Sequence, residues 1–129
     1  MCIRDSSDLV DTTDFIPTLL EAAGIPLPQN EIFDGRSFLP QVIGEKGNPR
    51  DWVFIHHDPL PGHNKIGRSL SRWIQDKQYQ LFDETGHHNF FDFTTDPELL
   101  HPIDLRNAND ETKAAHAKLK RAIATMQND

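Results

Sequence analysis

The chain has 129 residues, 36% of them hydrophobic, carries a formal net charge of -7 and contains one cysteine. That length allows one modest core, and no apolar run approaches the roughly 20 residues needed to span a bilayer. The acidic balance argues against a surface that tracks phosphates, and one cysteine excludes an internal disulfide or a Cys-based zinc cluster, so neither a nucleic-acid nor a membrane partner is expected.

Residues 1–6, MCIRDS, have neither an apolar core region nor a cleavage site, so they read as a non-native leader rather than a secretion signal. The chain is then expected to open inside a longer protein. Thr12 to Ala23 reads as the first helix, because Phe15, Ile16, Leu19, Leu20 and Ala23 fall on one helical stripe. Thr13 or Asp14 is the expected cap, Pro17 sits in the tolerant first turn, and Gly24 followed by Pro26 is the stop. From Ile25 to Pro49 the chain is rich in Pro, Gly and Asn; only Ser37 to Ile43 has the makings of a helical turn.

Trp52 to His56, WVFIH, reads as a nearly continuous apolar strand, and the Pro- and Gly-dense stretch from His57 to Ser69 as a loop. Arg72 to Glu98 is the clearest signal in the chain. Ile74, Tyr79, Leu81, Phe82, Phe90, Phe91 and Phe93 come in short runs separated by Asp76-Lys77-Gln78 and by Asp83-Glu84-Thr85-Gly86, which predicts three strands joined by two turns. Pro97 cannot donate to a ladder and ends the meander. A last helix is predicted over Asp110 to Met126, with Ala115, Leu119, Ala122, Ile123 and Met126 on its inner stripe, Asn109 or Asp110 as cap, and Lys113, Lys118, Lys120 and Arg121 on a solvated face. The fold class expected is α+β: a small four-stranded antiparallel sheet with a packed C-terminal helix.

Two blocks carry a family resemblance. The first is Asp14-Phe15-Ile16-Pro17-Thr18-Leu19-Leu20 with Ala23-Gly24-Ile25 and Asp34-Gly35-Arg36-Ser37; the second comprises Arg72, Tyr79, Leu81, Phe82, Gly86, Phe91, Asp92, Phe93, Asp96 and Pro97. In this order they resemble the C-terminal region of the sulfatase (arylsulfatase) family, departing from its pattern at Gln78, where a lysine is expected, and at Leu99, where an acid is expected. The resemblance implies the C-terminal subdomain of an alkaline-phosphatase-like α/β sulfatase fold. Residues 7–49 would be the end of the large sulfatase domain and residues 50–129 the sheet-plus-helix subdomain. It implies an enzyme that hydrolyses sulfate esters, carbohydrate or aryl, in the periplasm or outside the cell. Such enzymes use formylglycine made from a Cys/Ser-x-Pro-x-Arg motif beside calcium or another divalent cation. Arg4 and Ser6 follow Cys2 where Pro and Arg are required, so no catalytic residue and no metal ligand is assigned here. The chain is expected to be inactive alone and to need a missing N-terminal sulfatase domain as partner.

Histidine is the residue type left for chemistry. A metal site built from His56, His57, His63, His87 and His88 would need three or four converging on one ion; a polar turn is the simpler reading for His87-His88, and His101 and His116 read as surface residues. Ser69 and Ser71 lack a nucleophile elbow. His56-His57-Asp58 is the candidate substrate-binding group, since an apolar strand ends there in two imidazoles and an acid before a Pro-stiffened bend. Adjacent strand residues point to opposite faces, so one histidine is expected at the pocket and the other toward the core. The alternative is a stand-alone, non-catalytic binding or accessory module.

Overall fold

The computed structural model describes residues 6–57, 71–83 and 89–126. They form two compact units, the first reaching to Asp51 and the second starting at Trp52.

In the first unit a 3-10 turn at Thr12–Asp14 runs into α1, Phe15–Ala22. Asp11 caps the 3-10 turn, two residues before Thr13 and three before Asp14, while Asp14, one of the two expected candidates, stands at the N-cap position of α1 without a side-chain capping bond to that helix. The Asp11 carboxylate accepts the Thr13 N–H at 2.9 Å while its own N–H donates to Asp14 Oδ2 at 2.8 Å, a reciprocal capping box. Beyond its share in that box, the Asp14 side chain has a second task. Only 1% exposed, its carboxylate accepts the Arg36 N–H at 2.7 Å, the Arg50 Nε–H at 2.7 Å and a second bond from Arg50 Nη2. Gly35 lies so close to the start of α1 that a Cβ built on it would meet the Thr13 carbonyl oxygen at 1.9 Å, so only glycine lets Arg36 reach Asp14. One turn along, Thr18 Oγ1 donates to the Asp14 carbonyl and accepts the Phe38 N–H at 3.0 Å, which fixes the approach to α2, Leu39–Ile43.

α1 stops as its sequence requires: Gly24 takes φ 67°, and the Gly24 and Ile25 N–H groups bond back to the Glu21 and Leu20 carbonyls in a Schellman motif. Its apolar stripe is present but uncovered, Phe15 being 52%, Ile16 58% and Leu19 66% exposed.

The second unit is a four-stranded antiparallel meander in the order β1-β2-β3-β4, made of Val53–His57, Ser71–Gln75, Tyr79–Phe82 and Phe90–Asp92. β1 starts one residue later and ends one residue later than its apolar run suggests. The β2–β3 turn is held by Asp76, whose carboxylate accepts the Gln78 and Tyr79 N–H groups at 2.9 and 2.7 Å. The turn expected around Gly86 and the loop over 58–69 lie outside the described residues. Register places Phe54 opposite Ile74, Ile74 opposite Leu81 and Leu81 opposite Phe90, a single apolar row.

Onto this row packs α3, Asp110–Met126, with the bounds its periodicity predicts. Asn109 caps it, accepting the Thr112 N–H at 2.8 Å, and Asp110 and Glu111 occupy its first turn; the bases stop short of its last turn, so only the N-terminal end is matched to the dipole. Leu119, Ala122 and Ile123 close the core against Ile74, Tyr79, Leu81 and Phe90, with Ala115 at the margin, while Met126 stays exposed. The opposite face of the sheet carries an aromatic chain, Trp73 to Phe82 at 5.8 Å and Phe82 to Phe91 at 6.0 Å between ring centres.

Two outcomes follow for stability. Leu119→Ala opens a cavity in a fully buried site and should cost about 2–5 kcal/mol, whereas Leu19→Ser on the open stripe of α1 should stay within about 0.5 kcal/mol of the parent. Urea midpoints of the two variants measure both, and equal shifts would contradict this packing. The second concerns pH. Burial pushes the Asp14 carboxyl up, but the bonds from Arg50, Asp11 and Arg36 outweigh it and hold the group below its ordinary value of 3.8. A depressed carboxylate stabilises the fold above the unfolded value and loses that contribution as pH falls through the folded one. Amide-exchange protection at Arg36 should therefore collapse below about pH 4, and Asp14→Asn should remove it even at pH 7, breaking a buried pair at a cost of about 3–5 kcal/mol. The Ile74 and Leu81 amides should keep their protection in that variant.

Candidate functional site

The candidate group sits where β1 runs out of apolar side chains. Val53 is buried, Phe54 and Ile55 are half-buried, and His56 and His57 are both exposed. Strand alternation does send the two imidazoles to opposite faces, as expected. The expectation that one of them enters the core is not met, because the sheet has no apolar row left at that height to cover it. Asp58, the third member, lies outside the described residues, as do His63, His87 and His88.

Cross-strand pairing supplies neighbours that local sequence patterns did not assign. His56 stands opposite Arg72 and His57 opposite Ser71. Continuing the same register, Arg72 meets Asp83 on β3's outer end: its Nη2 lies 3.1 Å from Asp83 Oδ2, and the Asp83 N–H donates to the Arg72 carbonyl at 2.8 Å. His56, Arg72 and Asp83 thus form one polar row across three strands, next to the row of Phe54, Ile74, Leu81 and Phe90 and on the same face. In sequence, Arg72 is legible only as part of a resemblance and Asp83 as a turn residue; hydrophobic patterning is blind to polar cross-strand pairs, though counting back from the Asp76 turn brings these two together.

The remaining histidines do structural work. His116 is not a simple surface residue, since its ring is half-buried edge-on to Phe90 at 5.1 Å. The His101 N–H donates to Asp96 Oδ2 at 2.7 Å and closes the turn after β4, while its ring stays exposed. The first unit holds an open cleft of about 250 Å³ between Pro17 and Glu21 of α1 and the segments at Ile25–Leu27 and Gly35–Ser37. Among the described residues, no three His, Cys, Asp or Glu side chains converge as a metal site would require. No described helix is long and apolar enough to cross a membrane.

Comparison with known proteins supplies the context for this geometry. Residues 2–129 match the family model described as N-sulphoglucosamine sulphohydrolase, C-terminal. Among curated proteins the chain is similar to an N-acetylglucosamine-6-O-sulfatase of Bacteroides thetaiotaomicron, 26% identical over 102 residues that make up 76% of this chain and 18% of that protein. A solved 2-O GAG sulfatase superposes with a TM-score of 0.69 at 21% identity, covering 90% of this chain and 25% of the other. A protein solved with its substrate D-glucosamine-2-N,6-O-disulfate gives 0.66 at 19% identity, over 89% and 23%. The chain therefore spans between 18% and 25% of the length of these relatives. With the sheet, the helix and both sequence blocks in place over the matched span, the chain belongs to the family of N-sulphoglucosamine sulphohydrolase C-terminal regions and has the fold of a sulfatase C-terminal subdomain.

Proposed function

We propose that this chain is the C-terminal part of an enzyme that hydrolyses sulfate esters of carbohydrates, and that His56, His57 and Asp58 belong to the wall of its substrate pocket. The observation that carries this is the family match over residues 2–129 in a chain that spans at most a quarter of its relatives. The end of the large domain, expected over residues 7–49, is then extended to Asp51 so that Arg50 stays with Asp14, and residues 52–129 are the subdomain that borders the pocket. The exposed stripe of Phe15, Ile16 and Leu19 supports that division, because burying each such side chain is worth roughly 1.5–3 kcal/mol and a preceding domain offers the surface for it. The nucleophile, formylglycine, and a divalent cation such as calcium belong on this reading to the preceding part, and the whole enzyme to the periplasm or the cell exterior.

Within the chain, the chemistry is recognition. A neutral imidazole both donates and accepts hydrogen bonds, which suits sugar hydroxyls, and a protonated one attracts an anionic substrate. Both histidines are exposed at the strand end, so neither is tied up in the core. Asp58, an acceptor when ionised, complements the hydroxyl donors of the same sugar. The part of the ester beyond the sulfate is what this wall would touch.

In the full-length enzyme, His56→Ala or His57→Ala should lower kcat/KM at least about tenfold, equivalent to about 1.4 kcal/mol of lost transition-state binding. The strand alternation means that one of the two variants carries the effect. Thermal melts of both should stay close to the parent, since neither side chain is buried. Wild-type kinetics in both variants on the enzyme's best substrate would remove these residues from the pocket.

A further inference from the structure

We infer that Arg72 is a specificity-determining residue that reads a second oxyanion on the substrate, beyond the sulfate that is cleaved. The inference rests on the pocket reading of His56 given above.

The first ground is the company Arg72 keeps. An antiparallel register places it directly opposite His56, with Cβ atoms about 5 Å apart on one face of the sheet. An imidazole and a guanidinium therefore stand side by side at one height of the sheet, both able to donate to the same acceptor. The neighbouring row on the same face is apolar throughout, so this strand pair gives up favourable packing at this one height. A bound anion between the two side chains would accept hydrogen bonds from both.

The second ground is how Arg72 is held. Asp83 is only 12% exposed and fixes one terminal nitrogen of the guanidinium, while the Arg72 side chain remains 31% exposed. A guanidinium has five N–H donors in a rigid planar fork, and anchoring one end lowers the entropy lost when the rest closes on a carboxylate or sulfate. Lysine in this place would offer the charge without the fork. The third ground is the setting: the His56 imidazole next to Arg72 is exposed at the strand end, so both groups are open to one ligand. The ligand class is a sulfated sugar bearing a further oxyanion, which is either a second sulfate or a uronic carboxylate.

The test is a titration of the full-length enzyme, with the formylglycine precursor replaced by alanine so that no sulfate is cleaved, followed by the Arg72 Nε–Hε and His56 ring NMR signals. The probes are N-acetylglucosamine, N-acetylglucosamine 6-O-sulfate, D-glucosamine-2-N,6-O-disulfate and a 2-O-sulfated hexuronic acid. The singly charged sulfate should move His56 alone; the two doubly charged probes should also move Arg72 and bind at least about fivefold tighter, in the range expected of one charge-assisted contact. Response to only one of the two identifies the second oxyanion as sulfate or carboxylate. Arg72→Gln should bring the doubly charged probes down to the affinity of the singly charged one without changing the latter, and Arg72→Lys should recover part of the difference; unchanged Ile74 and Leu81 amide signals show that the variants are folded. An Arg72 signal that no probe moves, or an Arg72→Gln variant that weakens all anionic probes alike, overturns the inference and leaves Arg72 as a brace for Asp83. If His56 responds and Arg72 does not, only this inference fails; if neither responds, the pocket reading falls with it. Movement of Arg72 without His56 retains the oxyanion site and removes His56 from the wall.

Discussion

The register that sets Ile74 opposite Leu81 governs what each part of the sheet presents. Once those two side chains share a row, strand alternation assigns every other position: Phe54 and Phe90 join them under α3, and Trp73, Phe82 and Phe91 go to the other face. A slip of one residue would bury Trp73 and Phe82 beneath the helix and send Ile74 outward. Leu119 and Ile123 specify against that slip, since their contacts with Ile74 and Leu81 exist in one register only. The same rule places His56, Arg72 and Asp83 together. Their meeting is a geometric by-product of core pairing, because the register that aligns Ile74 with Leu81 also aligns these three positions.

A different constraint organises the first unit. Among its described residues those fully buried are Asp14, Pro17 and Thr18, so its order comes from hydrogen bonds around a carboxylate rather than from an apolar centre. Removing such a charge from water is expensive and is offset only when donors surround it. Arg50 provides a two-point contact, Arg36 a backbone N–H, and Asp11 another. This is the physical reason why the Asp14 block and the Asp34-Gly35-Arg36-Ser37 block occur together: the glycine lets the second segment close on the helix start, and the next N–H completes the shell of the carboxylate.

Much of this was legible from the residues in order. The three-strand run, the earlier strand, and α3 with Asn109 as cap all follow from local periodicity and turn chemistry, and their positions agree with the structure to within a residue or two. Asp14 was legible as a cap and as part of a resemblance, not as the centre of a buried cluster. Its partners stand 22 and 36 residues away, and no window of local pattern contains them. Asp11 was overlooked as the cap of the 3-10 turn because Thr13 and Asp14 are equally good capping types closer to the apolar stripe. Of the candidate pocket, the histidines were visible as an abrupt end to an apolar strand; Arg72 was not, because its meaning depends on the residues opposite, which only register supplies.

The two units also differ in what they require of their surroundings. The second closes a core of its own between one sheet face and α3, and each buried side chain there contributes roughly 1.5–3 kcal/mol. The first has no such reserve. Its hydrogen bonds, at a net worth of roughly 0.5–1.5 kcal/mol each, have to offset the ordering of a Pro- and Gly-rich connection, and that balance is thin. Its apolar residues meanwhile face outward from α1, where they add nothing to the isolated chain. A helix with an amphipathic stripe and a polar, hydrogen-bonded back is stable when the stripe is covered. On the reading proposed above, the cover is the preceding domain, and the Asp14 cluster serves to fix the angle at which α1 meets it rather than to hold the unit together unaided.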